Sequence, residues 1–389
     1  MRHFACLDED VIRALFDRRP EPFTADSERQ TVAVALGATL YMPGTRPALA
    51  RDVERRSAAG VMSAVLCLED SIADADLVAA EANVVEQVRL LAGRSTRADA
   101  PLLFVRVRSA EQISDLVERM GPASARLTGF VLPKFTAERG VAFLDHLTKA
   151  EEVAGVPLLA MPVLESAEVL YRERRTDCLQ RIGDLLAEHR HRVLALRLGA
   201  ADMSGLYGLR RQRDVNVYDV GLLRDVITDI VNVLGRADGS GFVITGPVWE
   251  HFDAPERLFK PRLRSTLFAD DAELRQQLIT VDHDELLREV VLDKANGLLG
   301  KTVIHPGHVA PVHALLVVSH EEYDDARAIV QAPGGGASSS PYGNKMNEAG
   351  PHRPWAQAVL RRAEVFGVSR AGQGLVDLLS ALSGRAQLG

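Results

Sequence analysis

A chain of 389 residues with 47% hydrophobic and 25% charged residues has material for a large core, which excludes a wholly disordered protein. Its 46 Lys and Arg against 53 Asp and Glu leave a net charge of −7, so no general signal points to nucleic acid or a membrane surface. The cysteines Cys6, Cys67 and Cys178 lack CxxC spacing, the segment Met1–Asp10 turns acidic at once, and no apolar run approaches about 18 residues; the expectation is a cytoplasmic protein with reduced thiols, no disulfide framework and no membrane span.

Residues 1–37 read as an N-terminal extension, broken at Arg18-Arg19-Pro20-Glu21-Pro22. From Thr39 a rhythm sets in. Short β-rich apolar runs occur at Thr39–Met42, Ala64–Leu68, Leu102–Val107, Gly129–Leu132, Pro157–Val163, Val193–Leu198, Phe242–Thr245 and Thr302–Ile304. Stretches of helical period separate them: Ala48–Ala59, Ala75–Leu91, Ala110–Met120, Ala137–Ala154, Ala167–Glu188, Asp219–Leu234 and Asp282–Leu299. The strand runs are nearly continuous apolar segments, as parallel strands covered on both faces require. Eight β/α units in series predict an α/β fold, a (β/α)8 TIM barrel over residues 38–331, with an open doubly wound sheet as the alternative. The seventh unit is the weakest, because Phe252–Thr280 reads partly as loop. Ala310–Ala332 follows as one more helix. Residues 332–341 are Gly- and Ser-rich and read as a flexible linker. Residues 342–389 form a helical tail with helices at Trp355–Val365 and Gln373–Leu382, able to dock on its own barrel or to act as a lid on a neighbour.

In a parallel barrel the loops after the strands carry the chemistry. Here those ends gather polar groups: Arg46, Glu69 and Asp70, Arg106 and Arg108, Lys134, Glu165, Gly199-Ala200-Ala201-Asp202, Glu250-His251, and His305-Pro306-Gly307-His308. Glu165 and Asp202 end consecutive strands about 5 Å apart, so both carboxylates can reach one hard cation, and two carboxylates with open positions suit Mg²⁺. The bland reading makes each a helix cap. Arg106 lies inside an apolar run, where a lone charge is costly unless paired. It either clamps a carboxylate or enolate oxygen or makes a structural ion pair with Glu69 or Asp70. Arg46, Glu69, Gly199 and Ala200 join Arg106 as substrate-binding candidates. The proton carrier is Asp70, His305 or a tail group; Lys134 positions the substrate or, deprotonated, forms a Schiff base. His305 reads equally as a ligand or a satisfied core imidazole. The basic stretch Gly205–Arg213 reads as a phosphate contact or a solvated loop. No GxGxxG or GxxxxGK[ST] cradle is present.

Seven motifs in order resemble the aldolase/citrate lyase superfamily, nearest the citrate lyase beta-subunit-like proteins, with malyl-CoA lyases and malate synthases further off. They are Tyr41-Met42-Pro43-Gly44-Thr45-Arg46-Pro47, Leu66-Cys67-Leu68-Glu69-Asp70-Ser71, Val105-Arg106-Val107, Leu132-Pro133-Lys134, Leu164-Glu165-Ser166, Leu198-Gly199-Ala200-Ala201-Asp202 and Lys301-Thr302-Val303-Ile304-His305-Pro306. Three segments depart from the family pattern: Ala201 stands where an acid is usual, Thr245–Phe252 differs, and so does Tyr342–Glu348. They suggest the divergent branch of carbon–carbon lyases found near tellurium-resistance genes. The resemblance implies a Mg²⁺-dependent homo-oligomer (trimer or hexamer) that makes or breaks carbon–carbon bonds through an enolate. The substrate would be a 2-oxo acid, hydroxy acid or acyl thioester, with coenzyme A as one carrier. Glu165 and Asp202 would be metal ligands and Arg106 the substrate clamp. The alternatives are a non-catalytic metabolite-binding barrel subunit and a phosphoenolpyruvate-type Mg²⁺ enzyme.

Overall fold

The computed structural model describes residues 1–252 and 284–386. The N-terminal segment folds into a helix Glu9–Leu15, a short strand β1 (Phe16–Arg18) and a helix Arg29–Ala35. Eight strands follow: β2 (Ala38–Pro43), β3 (Ser63–Cys67), β4 (Leu102–Arg106), β5 (Gly129–Leu132), β6 (Leu159–Leu164), β7 (Leu196–Leu198), β8 (Ile244–Thr245) and β9 (Lys301–Val303). All pair in parallel, in the order β8-β7-β6-β5-β4-β3-β2-β9. A parallel bridge from Gly246 to Lys301 joins the two ends, with the Thr302 amide donating to the Gly246 carbonyl at 3.1 Å. The sheet therefore closes as a (β/α)8 barrel, as the eight predicted runs require.

Each predicted run overlaps a strand, with bounds that differ by a few residues. Val193 and Leu194 are buried yet lie outside β7, with Val193 held only by a bridge to Ala160. Apolarity reports burial, not pairing, so the run overreaches the ladder. The predicted helix Ala167–Glu188 is two helices, Ala167–Leu170 and Arg172–Glu188, broken at extended Tyr171. Arg175 bridges the break, its guanidinium donating to the carbonyls of Val169 and Leu170 at 3.1 and 2.5 Å. The predicted Ala310–Ala332 also splits, into Val309–Leu316 and His320–Gln331. Ser319 and Glu322 cap the second piece reciprocally, a Ser-x-x-Glu signal readable in the sequence.

The stretch 332–341 is not a free linker. It contains β10 (Ala337–Ser339), which pairs antiparallel with β11 (Met346–Glu348). Ser340 is buried and donates to Asp325 at 2.6 Å, and Asn347 donates to the same carboxylate at 2.8 Å. Gly334, Gly335 and Gly336 all take positive φ, so the composition that reads as flexibility serves a turn. Beyond it, helix Ala349–Phe366 packs on helices His320–Gln331 and Arg29–Ala35, and β12 (Val368–Ser369) pairs with β1. The predicted stretch Phe252–Thr280 lies almost wholly outside the described residues.

The two termini together close the lower end of the barrel. Gly37, just before β2, lies against His313 and Phe366, and His3 stacks between Phe23 and Phe366 with ring centroids 5.6 and 4.2 Å away. The tail is thus seated on its own barrel, at the end opposite the strand C-termini. The His3 and His313 rings meet edge-on at 4.6 Å. His313 accepts from the Ala38 amide at 3.1 Å. Burial pushes its pKa down to about 3, and burial, then His313, holds His3 well below the ordinary value. The unfolded chain takes these protons near pH 6.5 whereas the folded chain refuses them, so stability is complete above that pH and is lost as pH falls toward about 3. The unfolding free energy from urea titration should drop between pH 6 and 4, by up to about 1.4 kcal/mol per pH unit for each histidine. His313→Gln should flatten the drop, and an equal slope in parent and variant would refute the assignment.

Candidate active site

Strand alternation sends every second side chain into the barrel, and the last inward residues crowd at the mouth. Arg106 ends β4 with its side chain 12% exposed. Its Nη2 lies 2.7 Å from Glu69 Oε2, 3.1 Å from Asp70 Oδ2 and 3.1 Å from Glu165 Oε1. Lys134, just past β5, is a non-glycine residue at φ +49°. That unusual backbone aims two groups inward. Its amide donates to Glu165 Oε1 at 3.0 Å, and its Nζ lies 2.9 Å from Glu69, 3.5 Å from Asp70 and 3.7 Å from Asp202.

Glu165, following β6, is buried, and its second oxygen, Oε2, has no hydrogen-bond partner. That oxygen is seated against Gly199, where a Cβ would stand 1.8 Å from it. Glycine at 199 is therefore required by space rather than by φ. Asp202 lies in the first turn of helix Ala200–Gly205, three residues on, with its side chain 26% exposed. Ala200 is buried beside it.

The charges set one another. Burial pushes the Glu165 pKa up to about 7, Asp202 adds to the rise, and Arg106 opposes it. Burial also raises Glu69, assisted by its hydrogen bond with Asp70 and opposed by Arg106. Asp70 falls below the ordinary value: burial works upward, but Glu69, Arg106 and Lys134 outweigh it. Burial disfavours the Lys134 and Arg106 charges, yet the facing carboxylates hold both pKa values above the ordinary range. Four carboxylates (Glu69, Asp70, Glu165, Asp202) against two cations (Arg106, Lys134) leave two formal negative charges. Among the described residues no three His, Cys, Asp or Glu side chains gather as a metal cage. The acids are interleaved with Arg106 and Lys134, so the pair Glu165 and Asp202 is what could hold a divalent ion.

Glu69, Asp70, Lys134 and Arg108 line a cavity of about 340 Å³, and a groove of about 750 Å³ continues from Lys134 past Ser166 to Arg174.

Of the residues singled out from the sequence, Glu69, Asp70, Arg106, Lys134, Glu165, Gly199 and Asp202 come together. Arg106 makes the ion pairs with Glu69 and Asp70 that one of its two readings expects, and it also faces Glu165. Arg46 does not join them; its guanidinium is half exposed and pairs with Asp52 at 2.8 Å. Nor does any hydrogen bond or ion pair among the described residues tie His305 to the cluster. It accepts from Gly307 and stacks on Phe252 at 5.3 Å. The basic stretch 205–213 is partly structural, because Arg211 is buried against Glu289 at 2.7 Å. Lys301 of the last motif is likewise buried with Glu289 and Asp293, at 2.9 and 2.7 Å. Sequence reasoning missed Arg197, although a charge within Val193–Leu198 is the same signal that flagged Arg106.

A family model described as a C–C bond lyase of the TIM-barrel fold matches residues 30–368. The L-malyl-CoA/beta-methylmalyl-CoA lyase of Cereibacter sphaeroides is 30% identical over 181 residues, covering 44% of this chain and 50% of the relative. The match thus spans about half the length of that curated relative. A solved CitE protein from Mycobacterium tuberculosis, in complex with magnesium, acetoacetate and coenzyme A, is 20% identical with a TM-score of 0.51, covering 85% of this chain and 99% of that one. A citrate lyase from Burkholderia xenovorans is 15% identical with a TM-score of 0.58, covering 89% and 96%. These two show a shared fold. No helix among the described residues is long and apolar enough to cross a membrane.

Proposed function

The chain belongs to the C–C bond lyase family of the TIM-barrel fold, and from that premise we propose that it makes or breaks a carbon–carbon bond beside the carbonyl of a small carboxylate, through an enolate, with Mg²⁺ held by Glu165 and Asp202. The observation that carries this reading is the buried, partnerless Oε2 of Glu165 at a mouth with two uncompensated negative charges. A buried acceptor with no donor is costly, and a divalent cation would satisfy both the atom and the charge. Magnesium, when bound, supplies a Lewis acid for the carbonyl and enolate oxygens.

The chain's own residues do the rest. Arg106 presents a guanidinium at the mouth, where it would orient the substrate carboxylate and stabilise enolate charge. Lys134 stays protonated among Glu69, Asp70 and Asp202, so it would act as a fixed cation rather than as an imine-forming amine. Asp70 stands half exposed at the lip, its pKa held down, which suits a base that exchanges its proton with solvent. His305, also considered as a proton carrier, has Gly307 and Phe252 as its partners, which favours Asp70. The curated relative's name and the neighbour crystallised with coenzyme A support an acyl-CoA thioester as one form of the substrate.

The test is an assay of 2-oxo acids and hydroxy acids, with and without acyl-CoA, followed by NMR for carbon–carbon cleavage or condensation. Turnover should require Mg²⁺, stop with EDTA, and leave no borohydride-stable adduct on Lys134. Metal-independent turnover with a trapped imine would overturn the reading.

A further inference from the structure

Below the mouth lies a cation without an anion. Arg197 on β7 is 1% exposed. Its guanidinium donates to Thr39 Oγ1 at 3.3 Å, to Thr302 Oγ1 at 2.5 Å and to Met161 Sδ at 3.7 Å, all neutral acceptors. Its Nε has no hydrogen-bond partner, and among the described residues no carboxylate pairs with it. A buried guanidinium costs several kcal/mol unless something answers its charge, and Glu69, Asp70 and Glu165 are already engaged by Arg106.

The group above Arg197 is Tyr41. Thr39 points into the barrel, where its hydroxyl meets both Arg197 and Ser63 at 3.3 and 3.0 Å. Two residues on along β2, Tyr41 points the same way. The Arg197 guanidinium lies 5.4 Å from the Tyr41 ring centre. Tyr41 is only partly buried, and the charged groups acting on its hydroxyl include Arg106 and Glu165 of the mouth as well as Arg197. Arg197 is also one inward step below Gly199, the residue against which Glu165 rests. Burial keeps the Tyr41 phenol protonated above its ordinary pKa even though Arg197 and Arg106 pull it down. The hydroxyl is thus a donor.

We propose that Tyr41 is a catalytic residue whose hydroxyl donates a hydrogen bond to the enolate oxygen or carboxylate of the substrate, and that Arg197 is the positioning residue that holds and polarises it from below. This rests on the enolate reading given above. Charge that develops in the reaction would then be answered from two levels: by Arg106 at the lip and, through the phenol, by Arg197 in the floor. A cation against a phenol strengthens its O–H as a donor, and a floor donor in a water-poor site acts on charge that forms late.

Oxalate, a planar dianion shaped like the enolate of a 2-oxo acid, is the probe, with Mg²⁺ alone as the control ligand. Calorimetry is run on the full chain, its Tyr41→Phe and Arg197→Met variants, the double variant, and Arg197→Lys. Tyr41→Phe should bind Mg²⁺ within twofold of the parent but bind oxalate to the Mg²⁺-loaded protein about tenfold more weakly, the worth of one charge-assisted hydrogen bond. Arg197→Met should match that loss, and the double variant should lose no more than either single, because Arg197 acts through Tyr41. Arg197→Lys should recover part of the affinity. A Met in place of a buried lone cation is tolerated by folding, and equal thermal midpoints check it. Undiminished oxalate affinity in Tyr41→Phe, or losses that add in the double variant, would overturn the proposal. A parent protein that binds no Mg²⁺ would instead overturn the enolate reading, and this proposal with it.

Discussion

Replacing Lys301 by Met is expected to cost about 3–5 kcal/mol of folding stability, the loss typical when one member of a buried ion group is removed. Lys301 is fully buried at the start of β9, between Glu289 and Asp293 of helix Asp284–Ala295. Arg211 meets Glu289 at 2.7 Å and also donates to the Val248 carbonyl at 2.6 Å. The Tyr218 hydroxyl donates to Asp293 at 2.8 Å. The group therefore ties helix 284–295 to β9 and to the loops after β7 and β8. Without Lys301, Arg211 still answers Glu289, but Asp293 keeps only a neutral phenol. Burial already pushes Asp293 up to about 6 with Lys301 in place, and without that cation it would take up a proton at neutral pH. The penalty should accordingly shrink as pH falls from 8 toward about 6 and level off below it, where Asp293 of the parent is protonated as well. Urea unfolding at pH 8 and pH 5 measures both effects. A loss below about 1 kcal/mol at pH 8 would mean the network does not hold these loops.

Arg106→Met should lower kcat/KM by about 10²–10³-fold, as loss of one preorganised group on developing charge does. The change removes the only guanidinium that touches Glu69, Asp70 and Glu165 at once among the described residues. It also raises Glu165 further, since Arg106 now opposes that rise. Arg106→Lys should restore little, because a point charge on a flexible stem cannot face three carboxylates as the planar guanidinium does. Steady-state kinetics with a substrate found by the assay above decides this. A loss under tenfold would confine Arg106 to a structural ion pair.

Much of this was legible from pattern alone. The closed barrel follows from eight continuous apolar runs separated by helical stretches, and a polar residue just past each run marks the mouth. Composition also separates carboxylates from their roles poorly. It cannot show that Gly199 exists to make room for Glu165, because that pairing joins loops after different strands. Arg46 and His305 carry the right chemistry at the right strand ends, yet their recorded partners are local, Asp52 for one and Gly307 with Phe252 for the other. The Gly- and Ser-rich stretch 332–341 misleads for a different reason: glycine signals permissive backbone, and a turn uses that permission as readily as a tether does. The tail's seat depends on β12 finding β1 at the far end of the chain, a pairing no local pattern announces.

The central claim is that Glu165 and Asp202 share one divalent ion. Isothermal calorimetry of Mg²⁺ into metal-free parent, Glu165→Ala and Asp202→Ala proteins at pH 8 tests it most directly. One site per chain in the parent, weakened at least tenfold in each variant with folding intact, is the predicted result; affinity unchanged in both variants would contradict it.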